Sequence, residues 1–292
     1  MTASTLLATA HAATPVTLMF VALAAAFALA LGTWLVSVAK RDVSIVDGVW
    51  SLLVLSAALI YAWLMPAAGP VAQAALLLAL VWAVRLSAHI SWRSRGEPED
   101  HRYQAIRARN QPNFALKSLY LVFALQAALA WLVAFPLMAI VAADQGGLTG
   151  VQGWPAIAGA MAGFIVATFG IAYEAIADLQ LLRFKRRPES RGRVMNTGLW
   201  RFSRHPNYFG EFCVWWGFFI VALSVGGAGA AWSLLSPLLM SVLLMKVSGV
   251  TLLEKDIVER RPGYREYVMG TNAFFPGVPR KSGAAVPAPS RP

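Results

Sequence analysis

At 292 residues, 58% of them hydrophobic and only 13% charged, with a mean hydropathy of +0.58, the chain lacks the polar surface of a soluble protein and reads as an integral membrane protein. A single cysteine, Cys213, excludes an intrachain disulfide and a cysteine-built metal site, so no metal is expected. The net charge of +11 is distributed in a way that points to a membrane, not to nucleic acid.

Residues 1–15 are expected to form a short external N-terminus. The small residues around His11 and Ala12 look like a secretory leader, but there is no positively charged start and the apolar run comes after them, so no cleaved signal is expected. Hydropathy then predicts spans at Val16–Ala39, Val43–Met65, Val71–Trp92, Lys117–Ala142, Trp154–Leu182, Tyr208–Val225 and Ala231–Leu253, each long enough for the hydrocarbon core. The fold class is therefore an all-α membrane protein, a bundle of about seven transmembrane helices in one domain over 16–275. The tail 276–292, rich in Pro, Ala, Ser and Gly, is expected to be disordered. No internal repeat of the kind common in transporters is visible.

The connections at 66–70, 143–153 and 226–229 hold neither Lys nor Arg. All 25 basic residues lie on or toward the opposite side, at Lys40 and Arg41, in 93–117, in 183–204, and from Lys255 to Arg291, with Arg85 and Lys246 inside spans near that end. The positive-inside rule then puts the N-terminus outside and the C-terminus in the cytoplasm.

Several spans carry charge. Asp47 sits a turn into the second, Arg85 and His89 share a face of the third, and Glu174 and Asp178 share one on the fifth with Lys185 two turns on. Glu211 opens the sixth, Lys246 lies in the seventh and Glu254 at its end. Each would cost roughly 2.5 to 3.5 kcal/mol against lipid at the bilayer centre. They are expected to face one another, either as structural ion pairs or around a cavity open to the cytoplasm. Arg183, Lys185, Arg186, Arg187, Arg191, Arg193, Arg201 and Arg204 crowd the loop below the fifth span, more than topology requires. Arginine's planar fork suits phosphate, so a polyanionic cofactor is expected among the helices, the chain having neither GxGxxG nor GxxxxGK[ST].

The densest stretch is GLWRFSRHPNYFGEFCVWWG, residues 198–217, which places Arg201, Arg204, His205, Asn207, Tyr208 and Glu211 within eleven positions at the mouth of an apolar helix. With EAIADLQLLRFK before it, and LLEKDIVERRPGYREY and TNAFFPGVP after it, the chain resembles the steroid 5-alpha-reductase-like membrane enzymes and their 3-oxo-5-alpha-steroid 4-dehydrogenase C-terminal domain. It is most similar to their bacterial branch, a domain-of-unknown-function family. The Arg-His-Pro-x-Tyr core is also similar to that of isoprenylcysteine carboxyl methyltransferases, which use S-adenosylmethionine.

The reductase resemblance implies NADPH entering from the cytoplasm into a cofactor half at about 173–275. Asp178 then takes the acidic position, Asn207 and Glu211 match the Asn and Glu of the second element, Lys185 falls at a basic phosphate contact, and Lys246 replaces an arginine of the last helix. Arg204 and His205 differ from the steroid enzymes but fit the bacterial branch; Arg201 and Arg204 belong to the basic cluster that suits phosphate, and His205 neutralises a cofactor phosphate or hydrogen-bonds the loop. Glu254 pairs with a loop arginine or accepts from a ribose hydroxyl, and Tyr264 and Tyr267 cover the cofactor or simply pack. Glu174 stands where the steroid enzymes carry an amide, and their Gln, Glu and Tyr that grip a 3-keto group have no counterpart here.

The reaction implied is reduction of an enone-type carbon-carbon double bond in a steroid-like or other lipophilic substrate reaching the site from the bilayer. Asp47, kept protonated by burial, Arg85 or Tyr208 is expected at the carbonyl end, with Trp50 or Trp82 flanking a flat substrate. The competing readings are an S-adenosylmethionine-dependent methyltransferase of the isoprenylcysteine type and a non-enzymatic lipid-binding protein or transporter. The partners expected are the substrate and membrane lipids, with no nucleic acid.

Overall fold

In the computed structural model, residues 14–65, 68–145, 153–247 and 263–280 are described. Helix dominates among them, and the one pairing of extended backbone is an isolated bridge between Ala68 and Gln145. Helix α1 is Pro15–Lys40, α2 Ile45–Leu64, α3 Pro70–Arg93, α4 His101–Arg109 and α5 Phe114–Ala143. Helix α6 is Trp154–Arg186, α7 Pro206–Gly226, α8 Leu235–Val242 and α9 Tyr264–Gly270. Six helical stretches are long and apolar enough to cross a membrane, the last running from Pro206 to Lys246. The sixth and seventh expected spans thus appear joined, through a 3-10 segment Gly227–Leu234, in place of an open turn at 226–229. Residues 1–13, 248–262, which hold the end of the last expected span and Glu254, and 281–292 lie outside the described residues.

The chain groups into two compact units. The first is Met1–Thr168 with Trp215–Leu239, and the second Phe169–Val214 with Met240–Pro292.

In the first unit, helices approach through small side chains. Ala22, Ala26 and Ala30, four apart on α1, are fully buried, as are Ala72, Ala75 and Ala79 on α3, while Phe20, Leu31 and Leu35 of α1 stay exposed as a lipid-grade stripe. Helix α5 is interrupted at Ala134, two residues before Pro136, which has no N–H to continue the ladder; Ser236 Oγ donates to the Val133 carbonyl there at 2.7 Å. At the other end of α5, Asp144 is buried and its Oδ2 accepts the Ala72 N–H at 2.8 Å. It thereby caps α3, whose own N-cap is Gly69 and whose first residue is Pro70. Asp144, in a connection that holds neither Lys nor Arg, is therefore a helix cap.

Helix α4, within what the sequence suggested was a basic connection, is pinned by ion pairs. Glu99 accepts from Arg107 Nε and Nη2 at 2.9 and 2.7 Å and from the Val43 N–H at 2.9 Å, and Arg107 lies 4.7 Å from the Phe114 ring centre. Burial opposes the charge on Glu99, yet the bonds from Arg107 and Val43 and the charge of Arg107 hold its carboxyl below the usual value. Asp100 is lowered in the same way, burial being outweighed by the bonds and charge of Arg102. A carboxyl depressed in the folded state contributes stability that is complete above its unfolded value of about 4 and is lost as pH falls through its folded value. A Tm-versus-pH profile should therefore drop below pH of about 4, and Glu99→Gln should flatten that limb.

Candidate functional site

Every described residue expected at the cofactor belongs to the second unit, and the sequence explains the gathering. Helices α6 and α7 touch backbone to backbone there: a Cβ on Gly170 would sit 2.5 Å from the Gly210 carbonyl oxygen, and one on Gly210 would sit 2.6 Å from the Glu174 nitrogen. Only glycine permits that approach. It sets Glu174 and Asp178 of α6 against the first turns of α7, and Asn207 Nδ2 donates to Asp178 Oδ1 at 3.2 Å. Glu174, Asp178 and Glu211 are all buried, at 2%, 6% and 8% exposure, together with Arg204 and His205. Buried charge in such density, in helices of membrane-grade composition, is costly to keep and marks a site.

The 198–205 loop is held from both sides. Towards α6, the Leu199 N–H donates to Gln180 Oε1 at 2.9 Å and Trp200 Nε1 to the Ala177 carbonyl at 3.0 Å. Gly198, at φ +60, is required twice over, because a side chain there would also meet Gln180 Oε1 at 2.5 Å. Towards the C-terminus, a strap over 271–280 bonds along the loop. The Arg204 N–H donates to the Asn272 carbonyl at 2.9 Å, Ser203 Oγ to the Phe274 carbonyl at 2.7 Å, and the Gly277 N–H to the Phe202 carbonyl at 3.0 Å. Phe274 packs edge-on against Phe212 at 5.7 Å, tying the strap to α7.

The expected residues fall into groups. Asp178, Asn207 and Glu211 occupy the junction of α6 and α7, with the His205 ring stacked on Tyr208 at 5.6 Å. Arg204, expected on a phosphate, directs Nη1 to the carbonyls of Thr271 at 2.6 Å and Val268 at 3.2 Å and so holds the strap. Tyr267, expected over the cofactor, is buried, and its hydroxyl donates to the Trp200 and Ser203 carbonyls. Tyr264 is buried edge-on to it at 5.5 Å. Lys185, Arg201 and Lys246 are exposed, and Glu254 lies outside the described residues.

Asp47 and Arg85 belong to the first unit. Asp47 accepts from Arg102 Nη2 at 2.7 Å and from the Tyr103 hydroxyl at 2.5 Å, so both its oxygens are engaged within the protein. Burial, then the charge of Asp47, pushes the Tyr103 hydroxyl well above the usual tyrosine value, so it stays protonated. Gln126 Nε2 donates back to the Tyr103 oxygen at 3.1 Å. For Arg102, burial opposes the charge but the bond to Asp100 and the charges of Asp47 and Asp100 prevail, raising its pKa. Arg85 is half-buried on α3, with Nε and one terminal nitrogen shielded from solvent. The sequence reading missed Arg102, Tyr103, Gln180, Ser203 and Thr271. Only Tyr103 carried a signal, as an aromatic among charges in a connection.

A family model described as "Protein of unknown function (DUF1295)" matches residues 33–271. Among curated proteins, the uncharacterized protein C594.04c of Schizosaccharomyces pombe is 34% identical over 95 residues, a stretch that takes in 32% of this chain and 27% of the yeast protein. No solved structure matches the chain. The family match takes in both helices of the glycine contact, the 198–205 loop and the first residue of the strap, and the chain accordingly belongs to the DUF1295 family, which is associated with steroid 5-alpha-reductase-like proteins.

Proposed function

We propose that this protein is a membrane-embedded reductase that uses NADPH to saturate an enone-type double bond in a steroid-like or other lipophilic substrate. The observation that carries the reading is the junction in the second unit, where Asp178 and Asn207 are hydrogen-bonded beside the buried Glu174 and Glu211. A carboxylate and a carboxamide held together offer acceptors for ribose hydroxyls and both donor and acceptor for a nicotinamide carboxamide. Lys185, exposed near the end of α6, and Arg201, exposed in the 198–205 loop, suit phosphate. The donor set therefore fits a phosphorylated dinucleotide, with Asp178, Asn207 and Glu211 as its polar contacts.

NADPH held there would supply the hydride for the β-carbon of the enone, with the balancing proton for the α-carbon coming from water and charge developing on the carbonyl oxygen in between. This chain's part is to bind the oxygen on which charge develops. Of Asp47, Arg85 and Tyr208, Tyr208 is the one that belongs to the same unit as Asp178 and Asn207, while both oxygens of Asp47 already accept bonds within the first unit. A phenol hydroxyl donates a hydrogen bond to that oxygen as charge develops on it. The reading includes seven spans with the N-terminus outside. The stretch Pro206–Lys246, at about 1.5 Å per residue, is about 60 Å long, twice a hydrocarbon core of about 30 Å, so the 3-10 segment from Gly227 is taken as the join between two spans.

Asn207→Ala removes the amide without touching the packing glycines; it should weaken NADPH binding by about tenfold or more, while Tm in the absence of ligand falls by only a few degrees from the bond lost to Asp178. The reaction is tested in proteoliposomes by following NADPH absorbance with a panel of enone lipids, alongside methyl transfer from S-adenosylmethionine. Substrate-dependent NADPH loss supports the reading, and methyl transfer without NADPH loss would replace it.

A further inference from the structure

Six basic residues lie between Arg183 and Arg193, all exposed, against a single acidic one, Glu189. At about 100° per residue Arg183, Lys185 and Arg186 spread around the last turn of α6, and the remainder continue past the helix end. Six cations so spread are more than one compact ligand engages, and those beyond Lys185 match a sheet of charge. The neighbouring 198–205 loop and the strap expose apolar groups: Phe202 is 41% exposed, Phe275 54% and Val278 87%. They belong to one assembly, since the Gly277 N–H bonds the Phe202 carbonyl and Phe275 packs against Phe209 and Phe212 in the first turns of α7. That is the end at which the apolar sequence of α7 begins. Exposed aromatic and aliphatic groups beside a basic belt form the composition found at headgroup level in a bilayer.

From this pairing we infer that the 183–193 belt and the strap of the second unit form a docking surface for anionic phospholipids, the arginines binding headgroup phosphodiesters while Phe275 and Val278 sit at the acyl boundary. Delipidated protein in a neutral detergent is titrated with phosphatidylglycerol or phosphatidylcholine of the same acyl chains, and Tm is followed. Phosphatidylglycerol should raise Tm in a salt-sensitive way and phosphatidylcholine should not. The triple variant Arg183→Gln/Arg187→Gln/Arg191→Gln should bind phosphatidylglycerol at least about tenfold more weakly. Equal stabilisation by the two lipids, a shift insensitive to salt, or a triple variant with the full phosphatidylglycerol shift would overturn the inference. If the variant does not fold, the wild-type salt and headgroup dependence decides alone. No nucleotide is present in this assay, so its outcome is separate from that of the NADPH reading.

Discussion

Gly210→Ala should lower the apparent Tm by roughly 5–10 °C, the equivalent of about 2–3 kcal/mol of overpacking. The added Cβ would lie 2.6 Å from the Glu174 nitrogen, 2.7 Å from the Gly170 carbonyl oxygen and 2.8 Å from Glu174 Cβ. Two of those three atoms are backbone, so no rotamer change relieves the clash and α6 and α7 must separate. Separation also draws Asn207 away from Asp178, so the NADPH response should weaken together with stability. Gly32→Ala is the control: nothing lies within 4 Å of its would-be Cβ, and alanine in a helix should be neutral or slightly stabilising. A thermal melt in detergent compares the two.

Arg204→Ala should destabilise by about 2–4 kcal/mol. Arg204 is buried, and its Nη1 serves the carbonyls of Val268 and Thr271 where α9 turns into the strap, so truncation leaves both acceptors short of a donor. The 271–280 segment should then be cut faster in limited proteolysis than in the wild type. Arg204→Lys, with a point-like donor, should fall between the two. Were Arg204 a phosphate contact alone, the strap would keep its wild-type resistance and only cofactor affinity would change.

The spans were legible in the sequence because hydropathy over about 20 residues is a local property, and α1, α2, α3, α5 and α6 fall within a few residues of the expected bounds. The gathering of Asp178, Asn207 and Glu211 was legible too, since charge in an apolar helix demands a partner. What was not legible depends on contacts far apart in sequence. Arg204 looks like a phosphate ligand until the carbonyls of Val268 and Thr271 appear beside it, and Asp47 looks like a lone buried acid until Arg102 and Tyr103 reach it from α4. Helix α4 itself, polar and nine residues long, has none of the periodicity that marks a buried helix. Gly170 and Gly210 could be read as small residues, but not as partners of each other.

The proposal that the second unit binds a nicotinamide dinucleotide has a direct binding test: parallel thermal-shift titrations of the detergent-purified protein with NADPH, NADH and S-adenosylmethionine. A ligand bound only by the native state adds about 2.7 kcal/mol of stability at a hundredfold excess over its Kd. Tm should rise saturably with NADPH and less with NADH, and the NADPH response should be weakened at least about tenfold in Asn207→Ala. Stabilisation by S-adenosylmethionine alone would contradict the proposal and assign the junction of Asp178, Asn207 and Glu211 to a methyltransferase.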